Sequence, residues 1–322
     1  MPEGRAARGA GRDVGTGPVV VWRFSDGKAG HDNQSLGLAE ALAGEVHCDI
    51  HTLTPLGAVA TLTALVTGSL PAISSYPDPD LILGAGHATH LSMLAARRAR
   101  GGRLVLMMSP TLPRRLFDLC LIPQHDRPGT AANVVTTRGA LNRVRPGAGK
   151  DPDSGLILIG GPSAHFRFDP FRLLRQIDTV LKREPKVSWT ATTSRRTPAD
   201  FAASLKAVKA SNFTLVPAED TPPDWVGDQL GRAARVWVTE DSASMVYEAL
   251  SSGAAVGLLG LDAVRTGRVA AGIEQLVEEG RVTRFDQWLE GKALAIADAP
   301  LNEAERCARL ILERWPELGR RS

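Results

Sequence analysis

The sequence predicts an α/β protein made of two tandem Rossmann-like domains facing across a cleft. Three observations lead there. The chain has 322 residues, and domains commonly run to roughly 100–200 residues. Short, continuously apolar runs alternate with helical stretches, the pattern of parallel strands covered by helices on both faces. A Pro-, Gly- and Asp-rich break, "VRPGAGKDPDSG" at residues 144–155, divides the alternation into two halves. The divisions read from this are a disordered tail at 1–17, an N-terminal domain at 18–145, a linker at 146–154, a C-terminal domain at 155–300 and a closing helix at 301–322.

In the first half the strand candidates are "PVVVWRF", "EVHCDIHTL", "LILGAG", "RLVLMM" and "LCLIP". Helical patterns such as "DNQSLGLAEALA" and "THLSMLAARRA" lie between them. In the second half "GLILIGG" leads to "FDPFRLLRQIDTVLKR", and "KVSWTATT" leads to "PADFAASLKAVKA". "FTLVPAE" leads to a short Trp-bearing segment, and "ARVWVTED" to "SASMVYEALSSG". "AAVGLLGL" leads to "DAVRTGRVAAGIEQLVEEG", and "LNEAERCARLILERW" closes the chain.

Composition narrows the function classes. Hydrophobic content of 43% and charged content of 23% suit an ordinary globular protein. A net charge of +3 is too small to argue for a nucleic-acid partner. Cys48, Cys120 and Cys307 are scattered without a C-x-x-C, against a disulfide framework or structural zinc. The Gly- and Arg-rich start lacks the apolar core of a signal peptide, and no apolar run reaches about 18 residues. The expected setting is cytoplasmic; the cluster Arg97, Arg98, Arg100 and Arg103 reads either as a basic patch for anionic inner-membrane lipid or an acidic substrate, or as a solvated helix end.

Ligands of open parallel sheets bind beyond the carboxyl ends of the strands, so the loops that follow strands carry the chemistry. "RFSDGKAGHDNQS" places Asp26, Gly27, Lys28, Gly30 and His31 after the first strand. "LGAGHATH" places Gly84, Gly86, His87 and His90 after the third. In the second half "IGGPSAHF" offers Gly160, Gly161 and Ser163, whose amides and hydroxyl could cradle a phosphate. "ATTSRRTP" adds Ser194, Arg195 and Arg196, guanidiniums suited to a diphosphate. In "VTEDSASMVYEALSSG", Asp241 or Ser242 would cap a helix whose N-terminus favours an anion, with Ser244 in its first turn. Glu240 precedes this start; Glu248, two turns in, can accept from both hydroxyls of a ribose. Together these residues form a nucleotide-diphosphate site without a metal cage.

Several familiar patterns fail. Trp22 stands where a phosphate-binding P-loop needs its first glycine, and Ala29 follows Lys28. "GAGHAT" puts Thr89 at the third glycine of a dinucleotide fingerprint. "GPSAH" lacks the last glycine of a serine-hydrolase elbow. His87-x-x-His90 has no third ligand by spacing, so no metal is expected.

Four stretches carry a resemblance: "SDGKAGHDNQ" (25–34), "LILIGGPS" (156–163), "TTSRRTP" (192–198) and "VTEDSASMVYEA" (238–249). With them the chain resembles the mitochondrial-fission ELM-like (elongated mitochondria) family, in its bacterial glycosyltransferase-like branch. The resemblance spans nearly the whole chain after the tail. It implies a GT-B-like architecture and a nucleotide-sugar donor held mainly by the second domain. Gly30-His31 is similar to the Gly-His of the first loop in peptidoglycan N-acetylglucosaminyl transferases, where that loop faces donor diphosphate and acceptor hydroxyl. Glu240 and Glu248 also form the E-x7-E of many retaining GT-B enzymes, with Ala255 where proline is common, so stereochemistry stays open.

The resulting expectation is a metal-independent glycosyltransferase without a cofactor, using a nucleotide-sugar as substrate. The acceptor would be a hydroxyl on an envelope glycolipid or oligosaccharide core. His31 or Asp26 would be the general base and Lys28 would steady developing negative charge. Two alternatives stand beside it. Eukaryotic members act in organelle division, which suits a non-catalytic membrane-associated adaptor. A nucleotide-sugar epimerase would use the same fold.

Overall fold

The computed structural model describes residues 17–147, 149–222, 224–264, 267–296 and 299–320. Apart from Gly17, the tail read at 1–17 lies outside the described residues. The first half runs β1 (Val19–Phe24), α1 (Ala29–Glu45), β2 (Cys48–Leu53), α2 (Ala58–Thr67), β3 (Leu81–Ala85), α3 (His90–Arg100), β4 (Arg103–Met107), β5 (Leu119–Pro123) and β6 (Val134–Thr137). The second runs β7 (Asp151–Leu158), β8 (Phe166–Arg167), α4 (Pro170–Arg183), β9 (Ser188–Thr192), α5 (Ala199–Lys206), β10 (Phe213–Val216), α6 (Trp225–Arg232), β11 (Ala233–Thr239), α7 (Ala243–Ser251) and β12 (Ala255–Leu259). It closes with β13 (Asp262–Ala263), α8 (Arg268–Glu278), β14 (Thr283–Arg284), α9 (Phe285–Leu289), α10 (Glu303–Arg314) and α11 (Pro316–Gly319).

Two parallel six-stranded sheets result, in the orders β2-β1-β3-β4-β5-β6 and β10-β9-β7-β11-β12-β14. Every residue of β3, β5 and β12 is buried, as strands sandwiched between helix layers require. Strand order reverses beside β1 in the first sheet and beside β7 in the second. The crevices of such sheets open at those reversals, here between β1 and β3 and between β7 and β11. This is the expected GT-B-like α/β arrangement.

Two boundaries differ from the sequence reading. β7 begins at Asp151, inside the stretch read as linker, because Ala233 of β11 pairs with Asp151 before the register shifts at Arg235. The closing helix belongs to the far domain: Cys307, Ala308 and Ile311 of α10 pack with Leu38 and Leu42 of α1 and with β1, β3 and β4. The C-terminal end of the chain thus covers the N-terminal sheet. All three cysteines are free, and burial pushes the Cys120 thiol to about 11 and the Cys307 thiol to about 12.

The arginine cluster of 97–103 is mostly engaged. Arg97 pairs with Asp118, and Arg100 pairs with Asp78 while lying over the Trp22 ring. Arg103 pairs with Glu317 and lies over Trp315. Among these four, Arg98 alone is exposed without an ion pair among the described residues.

Candidate active site

The first crevice is built by the turn from β1 into α1. Gly27 supplies a positive φ of 74°, and Ser25 Oγ accepts from its amide. Asp26 bends back and accepts from the Lys28 amide at 3.2 Å. Lys28 is the N-cap: its carbonyl accepts from the His31 and Asp32 amides, so the helix starts at Ala29. Gly30 and His31 therefore sit in the first turn of α1, where the sequence reading had a loop. A side chain at Gly30 would meet nothing within 4 Å, so crowding does not explain that glycine.

His31 Nδ1 lies 2.9 Å from Asp26 Oδ2 and 3.1 Å from Oδ1. An ionised carboxylate only accepts, so Nδ1 carries the donated proton, and in the neutral imidazole that leaves the lone pair on Nε2. Burial pushes the Asp26 carboxyl up. The hydrogen bonds from His31 and the Lys28 amide, with the charges of those side chains, outweigh it and leave the group below its ordinary value. Of the two candidates for the general base, Asp26 is the weaker proton acceptor, held below its ordinary value by its partners. Its place is to hold the imidazole. Lys28 Nζ stands 3.7 Å from Asp26 and is 59% exposed, leaving it free to reach a ligand.

Gly86 completes this crevice from the end of β3. It has φ +81°, and a Cβ there would lie 2.3 Å from His31 Cε1. The ring occupies the space a Gly86 side chain would need, so a larger residue there would displace the histidine. His87 is exposed beside it. His90 turns inward, 5.4 Å from Phe117 between ring centroids, and burial lowers its pKa. The His87 charge adds to that lowering. Among the described residues no three His, Cys, Asp or Glu side chains gather into a metal site.

The second crevice is more self-contained than the sequence suggested. Gly160 N donates to Thr239 Oγ1 at 2.8 Å, and Gly161 N donates to Asp241 Oδ2 at 3.0 Å. Both amides proposed for a phosphate are spent, one on Thr239 at the end of β11 and one on Asp241 just beyond it. A Cβ on Gly160 would meet Asp241 at 2.3 Å and one on Gly161 would meet the Arg196 carbonyl at 2.1 Å, so close packing explains both glycines. Arg196 donates to Asp241 at 2.7 Å and to the Gly161 and Pro162 carbonyls. Ser163 Oγ accepts from the His165 and Phe166 amides. Ser194 accepts from the Arg196 amide and meets Thr197 Oγ1 at 3.2 Å. Arg195 is exposed and has no ion pair among the described residues.

Asp241 does not cap α7, because its carboxylate faces Gly161 and Arg196. Its Oδ1 is buried without a partner. Ser242 is the N-cap residue but makes no side-chain cap; its hydroxyl lies 3.4 Å from Ser244 Oγ. The positive end of α7 is left without a side-chain acceptor. Glu240 turns the other way, accepting from Leu261 N at 3.1 Å and Arg284 Nε at 3.3 Å. Burial raises its pKa against those two partners. It lines a cavity of about 560 Å³ with Arg172, Arg284 and Phe285. Glu240 and Glu248 thus diverge, and E-x7-E does not form one paired site.

The two crevices are joined by residues the sequence reading passed over. Asn33, two positions beyond His31, donates to Glu248 Oε1 at 2.8 Å, while its own oxygen accepts from the Arg143 amide. Asn142 donates to Ser251 at 3.0 Å. Arg143 bridges Glu40 of the first domain and Asp224 of the second. Burial lifts Glu248 to about 7 against the Asn33 hydrogen bond. Beneath the dyad, buried Arg23 holds Asp32 at 2.9 Å and Ser35 at 3.1 Å, fixing the first turn of α1. A lone arginine inside the apolar run "VVVWRF" was the available signal.

The sequence profile described as mitochondrial fission ELM1 matches residues 29–315. The chain belongs to that family. Among curated proteins, this ELM1-family chain is similar to an uncharacterised protein of Rickettsia prowazekii (strain Madrid E). The two are 24% identical over 356 residues, covering 90% of this chain and 97% of the other. Among solved structures it is similar to a protein assigned as a UDP-N-acetylglucosamine 2-epimerase from Listeria monocytogenes. That match has a TM-score of 0.56 and 15% identity, covering 95% and 98% of the two chains. MurG of Acinetobacter baumannii matches with a TM-score of 0.52 and 14% identity, covering 93% and 100%. At such identities the ELM1-family chain shares their fold.

Proposed function

We propose that this protein is a glycosyltransferase that moves a sugar from a nucleotide-sugar to an acceptor hydroxyl. The observation that carries the reading is the Asp26–His31 pair. It sits at a sheet reversal, packed on Gly86, two residues before Asn33, whose side chain brings α7 to α1. His31 Nε2 takes the acceptor proton. The acceptor oxygen forms a bond to the anomeric carbon as the bond from that carbon to the diphosphate breaks, and the diphosphate leaves with the electron pair. Asp26 holds the tautomer and steadies the imidazolium that forms.

The open end of α7, Ser242, Ser244 and the exposed Arg195 meet the diphosphate, with Lys28 reaching over from the first domain. Glu248 accepts from the ribose, exchanging its bond to Asn33. Gly160, Gly161 and Asp241 shape the floor and do not touch phosphate. The acceptor in this reading is a hydroxyl of an envelope lipid or oligosaccharide core.

A thermal-shift screen over nucleoside diphosphates and nucleotide-sugars tests the donor class, because a ligand of the native state alone raises its melting temperature by mass action. Product analysis then tests the reaction. Free nucleoside diphosphate with sugar on an acceptor is expected. A donor whose sugar is altered in place would make the protein an epimerase, and no nucleotide binding would make it an adaptor. Activity is expected to persist in EDTA; loss restored by magnesium or manganese would contradict the metal-free diphosphate site.

A further inference from the structure

The surface beside the first crevice carries an apolar face that no part of the described chain covers. Residues 52–77 contain no Asp, Glu, Lys, Arg or His, in a chain that is 23% charged. α2 lies within this stretch, and its outward side shows Val59 at 81% exposure, Leu62 at 65% and Val66 at 72%. Their spacing of three and then four residues sets them in one row along the helix. Surface helices of soluble domains normally point charged residues outward. The inward side is used conventionally: Thr61 and Ala64 are buried, and Ala64 packs in the core formed by Trp22, Phe24 and Met93.

α3 runs alongside. Ser92 Oγ accepts from Leu56 N near the start of both helices, and the Arg98 guanidinium lies against Gly68 where α2 ends. Neither helix contains an Asp or Glu. α3 adds Leu91, 52% exposed, to the apolar surface, and Arg98 is its exposed cation without an ion pair among the described residues.

We infer that α2 docks on an anionic lipid bilayer, lying in its interface with Val59, Leu62 and Val66 among the acyl chains and Arg98 at the headgroups. Three arguments select this occupant. An aliphatic row on a convex helix beside a cation, with no acidic residue on either helix, complements a negative apolar interface. A second copy of the chain fits poorly, since three side chains on a ten-residue helix fall far short of the roughly 800 Å² per partner of a stable dimer. The helix is also too short to cross a bilayer, and no described helix is long and apolar enough to do so.

The placement bears on the acceptor. The segment from Gly86 through His87 leads directly into α3, and Gly86 touches His31. A bilayer under α2 and α3 lies next to the rim of the dyad's crevice, which suits an acceptor hydroxyl carried on a lipid. That last step rests on the proposed glycosyl transfer; the docking itself does not.

The test is flotation of the full chain with vesicles of phosphatidylcholine containing phosphatidylglycerol, or of phosphatidylcholine alone. The wild type is expected to float with the anionic vesicles, less with neutral ones and less at high salt. Leu62→Asp with Val66→Asp should keep the melting temperature, because both side chains are exposed, and reduce vesicle binding about tenfold per side chain. Arg98→Glu should abolish the preference for anionic vesicles. His31→Ala should float like the wild type, which separates docking from catalysis. Absence of flotation at low salt, or equal flotation of the double Asp variant, overturns the inference. So does a wild type that sediments as a dimer, does not float, and becomes monomeric in the double Asp variant.

Discussion

The two crevices hold their polar groups in opposite states. In the first, Asp26 saturates one nitrogen of His31 and leaves the other open, so the chemistry is oriented before any ligand arrives. In the second, Gly160 is tied to Thr239, and Gly161 and Arg196 share Asp241 Oδ2, so the open groups among the described residues are the start of α7, Arg195 and the buried Asp241 Oδ1. On the proposed reading, the difference separates a site that acts from a site that is shaped. Removing a group from the first should cost rate, and removing one from the second should cost stability or affinity.

The largest effect is expected at His31. His31→Ala should lower turnover by roughly 10²–10⁴-fold, the usual contribution of a positioned base, with little change in donor affinity or melting temperature. Asp26→Asn should also lower turnover, because an amide can face Nδ1 with its donor end and favour the wrong tautomer. Gly86→Ala should resemble both, since its methyl group would displace the ring. Near-normal turnover in a folded His31→Ala protein would erase the contrast between the crevices.

Asp241→Ala should act the other way. It leaves the Gly161 amide and Arg196 without their shared acceptor. Hydrogen bonds to a charged group are typically worth about 1.5–3 kcal/mol, and Arg196, 44% exposed, recovers part of that from water. A drop in urea midpoint with specific activity per folded molecule preserved is the expected outcome. Retained stability with lost nucleotide binding would instead return Asp241 to the donor site.

The sequence disclosed the fold because each fully buried strand is a continuous apolar run, and β3, β5 and β12 could be read directly. It also disclosed which loops lie at the sheet reversals, since Gly, Asp and His follow those strands. Local bonding was not legible. Nothing in "IGGPS" says that its amides are taken by Thr239 and Asp241, some 80 residues away. Asp26 next to His31 was visible, but its lowered pKa depends on the turn that folds the carboxylate onto the imidazole. Asn33 looked like an ordinary helix residue because its partner, Glu248, lies 215 positions on. α2 escaped because an exposed helix without charge has no polar face to mark its period.

The smallest expected effect lies where the crevices meet. Glu248 has an ordinary value of 4.5 and is lifted to about 7 by burial. Below about pH 4.5 it is protonated whether the chain is folded or not, and contributes nothing to pH dependence. Between about 4.5 and 7 the folded protein keeps a proton that the unfolded chain releases, so stability falls as pH rises and levels off above 7. At this half-buried position the change should be on the order of 1–2 kcal/mol. Glu248→Gln should remove it, so the difference between the two melting curves declines across that window and is flat outside it. Ligand binding sharpens the comparison. Ribose hydroxyls donate to the ionised carboxylate, so nucleoside diphosphate affinity should rise between pH 6 and 8 in the wild type and stay level in Glu248→Gln. Parallel pH curves for the two proteins, with and without nucleotide, would leave Glu248 as a clasp for Asn33 alone and move the ribose elsewhere.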